Sequence, residues 1–322
     1  MTAPVVVVGA GISGIACARE LQSAGVAVRV LDRGRRAGGR MAVRTVEGHA
    51  VDLGASYFTV AEPAFEAVAL DWQRRGLARP WTDTFHLAGP EGLRGTKSGP
   101  MRWAATHGLR SLVEDLATGL DVQHGHGVTD VAPGSVDGEL AAAVVLAMPD
   151  PQARRLLGAH ASDVPTGEYT PSLVLAAGYA ERTWPDLDAA FVNDDEALTF
   201  VADDGRRRGD RAPVLVAHSS ADLARAHLGE PAGATQAMLA GLARVTGVAV
   251  APQWSFVHRW TFAQPVGGRE RPYALDDDLV GLCGDAWSSR PRVEAAFESG
   301  RALGLELAAR LGAAGAAGQG QR

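Results

Sequence analysis

Gly9, Gly11 and Gly14, spaced G-x-G-x-x-G, and Asp32 downstream are the residues whose types and spacing most clearly describe a chemistry. The first glycine permits a tight turn, the second lets a pyrophosphate approach the backbone, and the third lets a helix lie close to a strand. A helix opening at this point offers unpaired N–H groups and a positive dipole to phosphates. Asp32 can accept hydrogen bonds from an adenosine ribose. The chemistry is dinucleotide binding, with NAD, NADP and FAD all open at this stage.

The flanking elements have the composition needed to hold that pattern. Val5–Val8 is a continuous apolar run, as expected of a parallel strand buried on both faces. Ile12, Ile15, Ala16, Arg19 and Glu20 follow at helical spacing, and a second strand from Ala27 to Leu31 ends at Asp32. Arg33, Arg35 and Arg36 could meet a 2′-phosphate, but the Asp32 charge opposes that, so a solvated basic loop is the simpler reading.

Two further patterns bear on which nucleotide is bound. Gly38-Gly39-Arg40-Met41 follows the acidic strand end. Near the other end of the chain, Gly281 to Asp285 ends a strand in Gly284-Asp285, and Val293-Glu294-Ala295-Ala296 opens a second helix. An aspartate placed there can bond a ribitol or ribose hydroxyl, and the helix N-terminus can stabilise negative charge on a reduced flavin ring. The pair fits FAD, held non-covalently and stretched across one domain.

The remaining chain alternates strands and helices. Helices are expected at 62–76, 108–120, 151–157, 233–246 and 292–311, and strands at 122–131, 140–148, 172–219, 254–262 and 279–283. Gly89-Pro90 and Gly99-Pro100 read as turns between short strands, and Asp203–Arg211 reads as a solvated charged turn. The expected class is α/β. A discontinuous dinucleotide-binding domain (1–61, 105–150, 272–312) is interleaved with an α+β substrate domain (62–104, 151–271), and 313–322 forms a loose tail.

Composition excludes several classes. With 322 residues, 46% hydrophobic, the chain can bury a large core, and its net charge of −6 argues against nucleic acid or an anionic membrane as partner. No segment is apolar and long enough to span a bilayer, so a cytoplasmic protein is expected. Cys17 and Cys283 read as buried free thiols. His124 and His126 share a strand face but lack a third ligand, which disfavours a metal site.

Taken together, the N-terminal unit, GGRM, VDLGASYFT (Val51 to Thr59), Ala147 to Pro149, HRWTFAQP (His258 to Pro265) and GDAW…RVEAAFESG resemble the FAD-dependent amine-oxidase superfamily, and within it the renalase-like branch. The resemblance implies a Rossmann-type FAD-binding domain of the glutathione-reductase/hydroxybenzoate-hydroxylase kind. It places Gly9, Gly11, Ile12, Ser13 and Gly14 at the pyrophosphate, Asp32 at the adenosine ribose with Arg33 beside it, and Gly39, Arg40 and Met41 near the phosphates. Gly54 and Ala55 would lie by the flavin, Val128 by the adenine, Gly284 and Asp285 by the ribitol–phosphate region, and Val293, Glu294, Ala295 and Ala296 by the pyrimidine edge.

Two departures stand out. The segment between Val128 and Ala143 is short, as if a hairpin were trimmed, and Ser56 stands where relatives often carry a longer polar side chain. Amine oxidases of the superfamily usually set a lysine near the flavin, yet Lys97 is the only lysine and does not match that position. Renalase-type relatives oxidise isomeric 2- and 6-dihydro forms of NAD(P), transferring hydride to the flavin, with oxygen as acceptor and peroxide as product. That chemistry asks for stacking, alignment and exclusion of water.

Phe58, His258, Trp260 and Trp287 are the candidates for the catalytic pocket, with Arg259 or Arg290 for a substrate phosphate. Phe58 and Trp260 read equally as core aromatics, His258 as a structural histidine, and the arginines as surface ion pairs. The rival functions are an amine oxidase or desaturase of the same superfamily and an NAD(P)-linked dehydrogenase.

Overall fold

The computed structural model describes residues 3–161 and 164–319. Two compact units divide after Gly39, Leu112, Glu168 and Gln264.

The first unit is built on a six-stranded sheet. Val280–Leu282, Ala143–Leu146, Val5–Val8, Val28–Asp32 and Asp121–His124 run parallel in that order, and Ala274–Leu275 adds an antiparallel edge. Val5, Val7, Val30 and Val144 to Leu146 are fully buried, which explains why these strands are apolar without alternation. The helix Ile12–Ser23 returns from the first strand and meets the closing helix Val293–Gln319. Their contact is set by glycine. A Cβ on Gly300 would stand 1.8 Å from the Ser13 carbonyl oxygen, and one on Gly304 would stand 2.6 Å from that of Cys17. Backbone therefore meets backbone, and the start of the closing helix is drawn to the start of the fingerprint helix.

The second unit is built on an eight-stranded sheet ordered Trp254–Pro265, Tyr169–Gly178, Val214–Ser219, Leu198–Asp203, Ala189–Val192, Ala78–Gly89, Gly92–Ala105 and Phe58–Thr59. One side buries Leu173, Leu175, Leu215, Ala217 and Val201 under the helix Thr235–Thr246, which contributes Met238, Leu242 and Val245. The other side packs Val174, Ala176, Val214 and Val216 against Val51 and Leu53, with Trp254, Phe256 and Trp260 alongside. Successive residues of Val214–Ser219 thus alternate between two cores, which explains why VLVA is apolar without interruption.

Several expectations are corrected. Residues 40–61 and 105–112 pack with the second unit and 151–168 and 265–271 with the first, which shifts the boundaries between the expected dinucleotide-binding and substrate domains. The cause is burial: Val51 and Leu53 belong to the second core, whereas Ala153, Leu156 and Leu157 pack with Val144 and Leu146. Gly99-Pro100 is no turn. It lies inside Gly92–Ala105, where the register jumps between Thr82↔Arg102 and Thr84↔Ser98, a bulge that tolerates proline.

The strand expected over 122–131 stops at His124, because Gly125 takes positive φ and its N–H bonds the Gly34 carbonyl. Between Val128 and Ala143, three two-residue strands form a small antiparallel meander. The closing helix runs to Gln319 on an alanine-rich sequence rather than loosening at 313, and 320–322 lie outside the described residues.

The Asp203–Arg211 segment is the largest departure from expectation. Asp203, Asp204, Arg207 and Arg208 are buried, and Asp204–Arg208 forms a short helix. Their partners are distant in sequence, so the segment's alternating charge does not reveal them.

Replacing Gly300 by alanine should force apart the two helices of the first unit. The expected loss of stability is roughly 1–3 kcal/mol, as for other overpacked contacts, read as a lowered melting temperature. Alanine at Gly312, which meets nothing within 4 Å, should leave it unchanged.

Candidate functional site

In the first unit, the three fingerprint glycines have separable causes. Gly9 takes φ +112°, and a Cβ there would stand 2.6 Å from the Ala147 carbonyl oxygen; a Cβ on Gly14 would stand 2.0 Å from that of Gly9. Both close the turn on the sheet. Gly11 is different, because nothing lies within 4 Å of where its Cβ would be. It caps the helix Ile12–Ser23 with no side-chain hydrogen bond. The open space and the uncapped first-turn amides of Ile12, Ser13 and Gly14 form a donor-rich cradle that a pyrophosphate would fit.

Asp32 organises the rim of this cradle. Its carboxylate accepts from the Ala10 N–H and the Gly34 N–H, both at 2.6 Å, which leaves further lone pairs for ribose hydroxyls. The Gly38 N–H donates to the Ala10 carbonyl at 2.9 Å, and a Cβ on Gly39 would lie 3.2 Å from the Gly11 Cα, so this loop folds over the fingerprint. The His126 N–H bonds the Asp32 carbonyl, bringing the 125–128 loop and half-buried Val128 alongside. Arg33 is exposed, and Arg36 is engaged by Glu114.

At the closing helix, Ser13 Oγ donates to Cys283 Sγ at 3.0 Å, and the Gly284 N–H donates to Ser299 Oγ at 2.9 Å. Burial pushes the Cys283 thiol up to about 12, so it is an inert structural group. Gly284 takes φ +152° with open space around its absent Cβ. Half-buried Val293 and buried Glu294, Ala295 and Ala296 form the first turn of the helix, with Glu294 paired to Arg292. Two uncapped or anion-ready helix starts and the Asp285 strand end therefore lie within one unit.

In the second unit, three sequence motifs meet. The Arg40 carbonyl accepts from the Ala55 N–H at 3.0 Å, and a Cβ on Gly54 would stand 1.8 Å from that oxygen. Trp260 Nε1 donates to the Leu53 carbonyl at 2.5 Å, and its ring edge lies 3.5 Å from the Gly54 Cβ position. Arg40 Nη1 reaches the Ala263 carbonyl at 3.1 Å, and Met41 is buried. The His258 ring sits edge-on to Trp260 with centroids 4.7 Å apart. Burial, then the charges of Arg44, Arg110 and Arg259, pull the His258 pKa down. Arg259 itself is exposed and donates to the Leu228 carbonyl.

The other pocket candidates are core residues. Phe58 is 2% exposed and enclosed by Phe65, Trp72 and Trp103, because its strand position points into that aromatic cluster. Trp287 is buried among Val6, Val144 and Leu282, with the Arg269 guanidinium 4.3 Å over its ring. Arg290 is exposed.

Sequence comparison agrees with this geometry. Residues 7–70 match an NAD(P)-binding Rossmann-like domain, and residues 78–302 match the family described as flavin containing amine oxidoreductase. The chain belongs to the flavin-containing amine oxidoreductase family. Solved structures with the same fold include a protein from Exiguobacterium sp. 255-15 provisionally named a protoporphyrinogen oxidase, at TM-score 0.76 and 14% identity over 96% of this chain and 99% of that one. A putrescine oxidase bound to putrescine matches at TM-score 0.72 and 16% identity, covering 97% and 99%. A cyclohexylamine oxidase from Brevibacterium oxydans matches at TM-score 0.74 and 16% identity, covering 97% and 100%.

The cofactor of this flavin-containing amine oxidoreductase is FAD, bound non-covalently, and the first unit fits it: the open Gly11 cradle suits the pyrophosphate and Asp32 the ribose. Among the described residues, no group of three metal-ligating side chains occurs, and no helix is long and apolar enough to cross a membrane.

Two features escaped the sequence reading. One is a buried ion network in which Arg207 donates to the Ser56 carbonyl at 2.5 Å, contacts Asp52 at 3.2 Å and pairs with Asp204, while Arg208 pairs with Asp204. Burial pushes the Asp52 carboxyl up to about 6, against the pull of Arg208 and the Leu109 N–H. The other is His218, whose Nε2 lies 3.3 Å from Ser56 Oγ and whose ring meets Phe200 edge-on at 5.6 Å. Its signal was a single histidine on the face shared by Val214 and Val216, a pattern more common in plain cores.

Replacing Asp285 by alanine should lower the flavin-to-protein absorbance ratio of the purified enzyme, and an unchanged ratio would refute its cofactor role. Burial pushes the His218 pKa down to about 4 from 6.5. The unfolded chain therefore binds more protons between these values, and stability contributed by the neutral ring is present above pH 6.5 and lost as pH falls. At pH 5 the loss is roughly 2 kcal/mol. By urea unfolding, the stability of wild type relative to His218→Gln should fall by roughly 2 kcal/mol between pH 7 and pH 5.

Proposed function

We propose that this flavoprotein oxidises isomeric 2- and 6-dihydro forms of NAD(P), with oxygen as the final acceptor and NAD(P)+ and hydrogen peroxide as products. Bound FAD supplies a two-electron acceptor that oxygen can reoxidise. The observation that carries the reading is the placement of Lys97. The chain's only lysine lies exposed on the hairpin of Ala78–Gly89 and Gly92–Ala105, opposite Phe85 in register, and not at the Gly54, His258 and Trp260 cluster. That cluster offers aromatic surface and an imidazole disfavoured from protonating. Such a surface stacks and orients a flat, uncharged ring and supplies no strong base, which suits hydride donation from a dihydropyridine. Trp260 is held by its bond to Leu53, so its plane is fixed before a ligand arrives.

The family match gives equal support to amine oxidation, and the absent lysine is what favours the dihydronicotinamide. The two are separated by mixing anaerobic holoenzyme with 2-dihydroNAD, 6-dihydroNAD and a panel of primary and secondary amines. Bleaching of the flavin absorbance by the dihydro isomers and not by the amines is expected, and the reverse pattern would sink the proposal. Trp260→Ala should slow anaerobic reduction at least tenfold, read by stopped-flow absorbance.

A further inference from the structure

The Ser56 and His218 side chains lie outside the dinucleotide cradle and meet the ion network only through the Ser56 carbonyl. Ser56 Oγ lies 3.3 Å from His218 Nε2, and neither side chain makes another hydrogen bond among the described residues, so His218 Nδ1 and the remaining serine capacity are uncommitted. Ser56 cannot drift, because its carbonyl is held by Arg207 at 2.5 Å. The ring of His218 is braced edge-on by Phe200, and Phe200 and Phe85 are packed in turn by Tyr57, the residue after Ser56. His218 stands in register opposite Val174 and Phe200, so its immediate strand neighbours are apolar. Val174 and Phe200 flank the ring itself, and burial accounts for its low pKa.

We propose that Ser56 and His218 form a recognition pair for the neutral carboxamide of the substrate ring. The inference rests on the dihydronicotinamide reading and names the group that selects the substrate. A carboxamide carries one acceptor oxygen and a donor nitrogen. If Ser56 donates to Nε2, then Nδ1–H is a donor and the serine oxygen an acceptor. If Nε2–H donates to Ser56, then the hydroxyl proton is a donor and Nδ1 an acceptor. In either tautomer the pair offers one donor and one acceptor, the complement of an amide. A carboxylate in the same place has no donor to give, and a site built to bond a particular polar group rejects an analogue lacking it. Ser56 is the position noted in the sequence as unusually short. A small hydroxyl there leaves the imidazole, rather than residue 56 itself, to make the longer reach.

The test uses holoenzyme and two probes: NAD+, and its nicotinic acid analogue, in which a carboxylate replaces the carboxamide. Binding is read from the perturbation of flavin absorbance. Wild type should prefer NAD+ at least tenfold. His218→Phe should weaken NAD+ about tenfold and the acid analogue less than twofold, with flavin content and melting temperature at pH 7.5 unchanged. His218→Asn, which restores a donor and an acceptor, should recover most of the preference. Equal weakening of both probes, or an NAD+ constant within twofold of wild type, would overturn the recognition role. If His218→Phe does not fold with FAD, Ser56→Ala carries the same readout, with about threefold loss of preference expected and none overturning the inference. Failure of both dihydroNAD isomers to reduce wild type brings down the functional reading, whereas reduction with an unaltered NAD+ preference in the variants brings down this inference alone.

Discussion

Four buried charges hold the segment that carries Gly54 and Ser56. Asp52, Asp204, Arg207 and Arg208 are each at most 6% exposed. Stripping water from such groups costs several kcal/mol apiece, and only close pairing offsets it. The geometry is correspondingly dense: Arg207 meets Asp52, Asp204 and the Ser56 carbonyl, while Asp52 also accepts from the Leu109 N–H at 2.7 Å. The network ties Asp52 to the Ser56 carbonyl through one guanidinium, although Asp204 Oδ2, Arg207 Nε and the Arg208 guanidinium nitrogens lack hydrogen-bond partners among the described residues. It therefore fixes where Val51–Thr59 runs, and with it Gly54, Ser56 and the carbonyl that Trp260 grips. Removing one charge would leave another buried without its counter-ion, so the four act as a unit rather than as independent stabilisers.

The first unit solves a different problem by subtraction. Positive ends of two helices have to come near each other, although like ends repel. Gly300 and Gly304 remove the side chains that would keep the helices apart, and direct backbone contact with Ser13 and Cys17 takes their place. The repulsion is relieved when an anion is present, which ties affinity for a phosphate-bearing cofactor to the packing directly behind the Ser13 cradle. Asp32 works with this arrangement. Bonded to amides on both sides of the loop, it shapes the rim in the protein alone, so the nucleotide meets a site that is already ordered.

The legibility of the sequence followed the range of the interactions. Val5–Val8, Gly9 to Gly14 and Asp32 act on one another within a single βαβ unit, so spacing and residue type were enough to read them. The same holds for the amphipathic helix ending at Thr246 and the strand starting at Trp254. Asp203–Arg211 was misread because its counter-ions include Asp52, a partner no local pattern reveals. Gly99-Pro100 misled because a turn and a bulge use the same dipeptide, and only the pairing strand tells them apart. Phe58 and Trp287 lie in recognisable motifs but face cores. His218 stayed hidden because its partner, Ser56, lies on the far side of more than a hundred residues of chain.

Lys97 has a consequence outside catalysis. A chain with 31 basic side chains of which one is lysine presents a single ε-amine to acylating reagents. That amine sits on an exposed strand of a hairpin and takes no part in the ion pairs described. Coupling to an electrode or bead through lysine would attach a molecule by this one strand, with only the α-amino group of the chain competing for the acylating reagent.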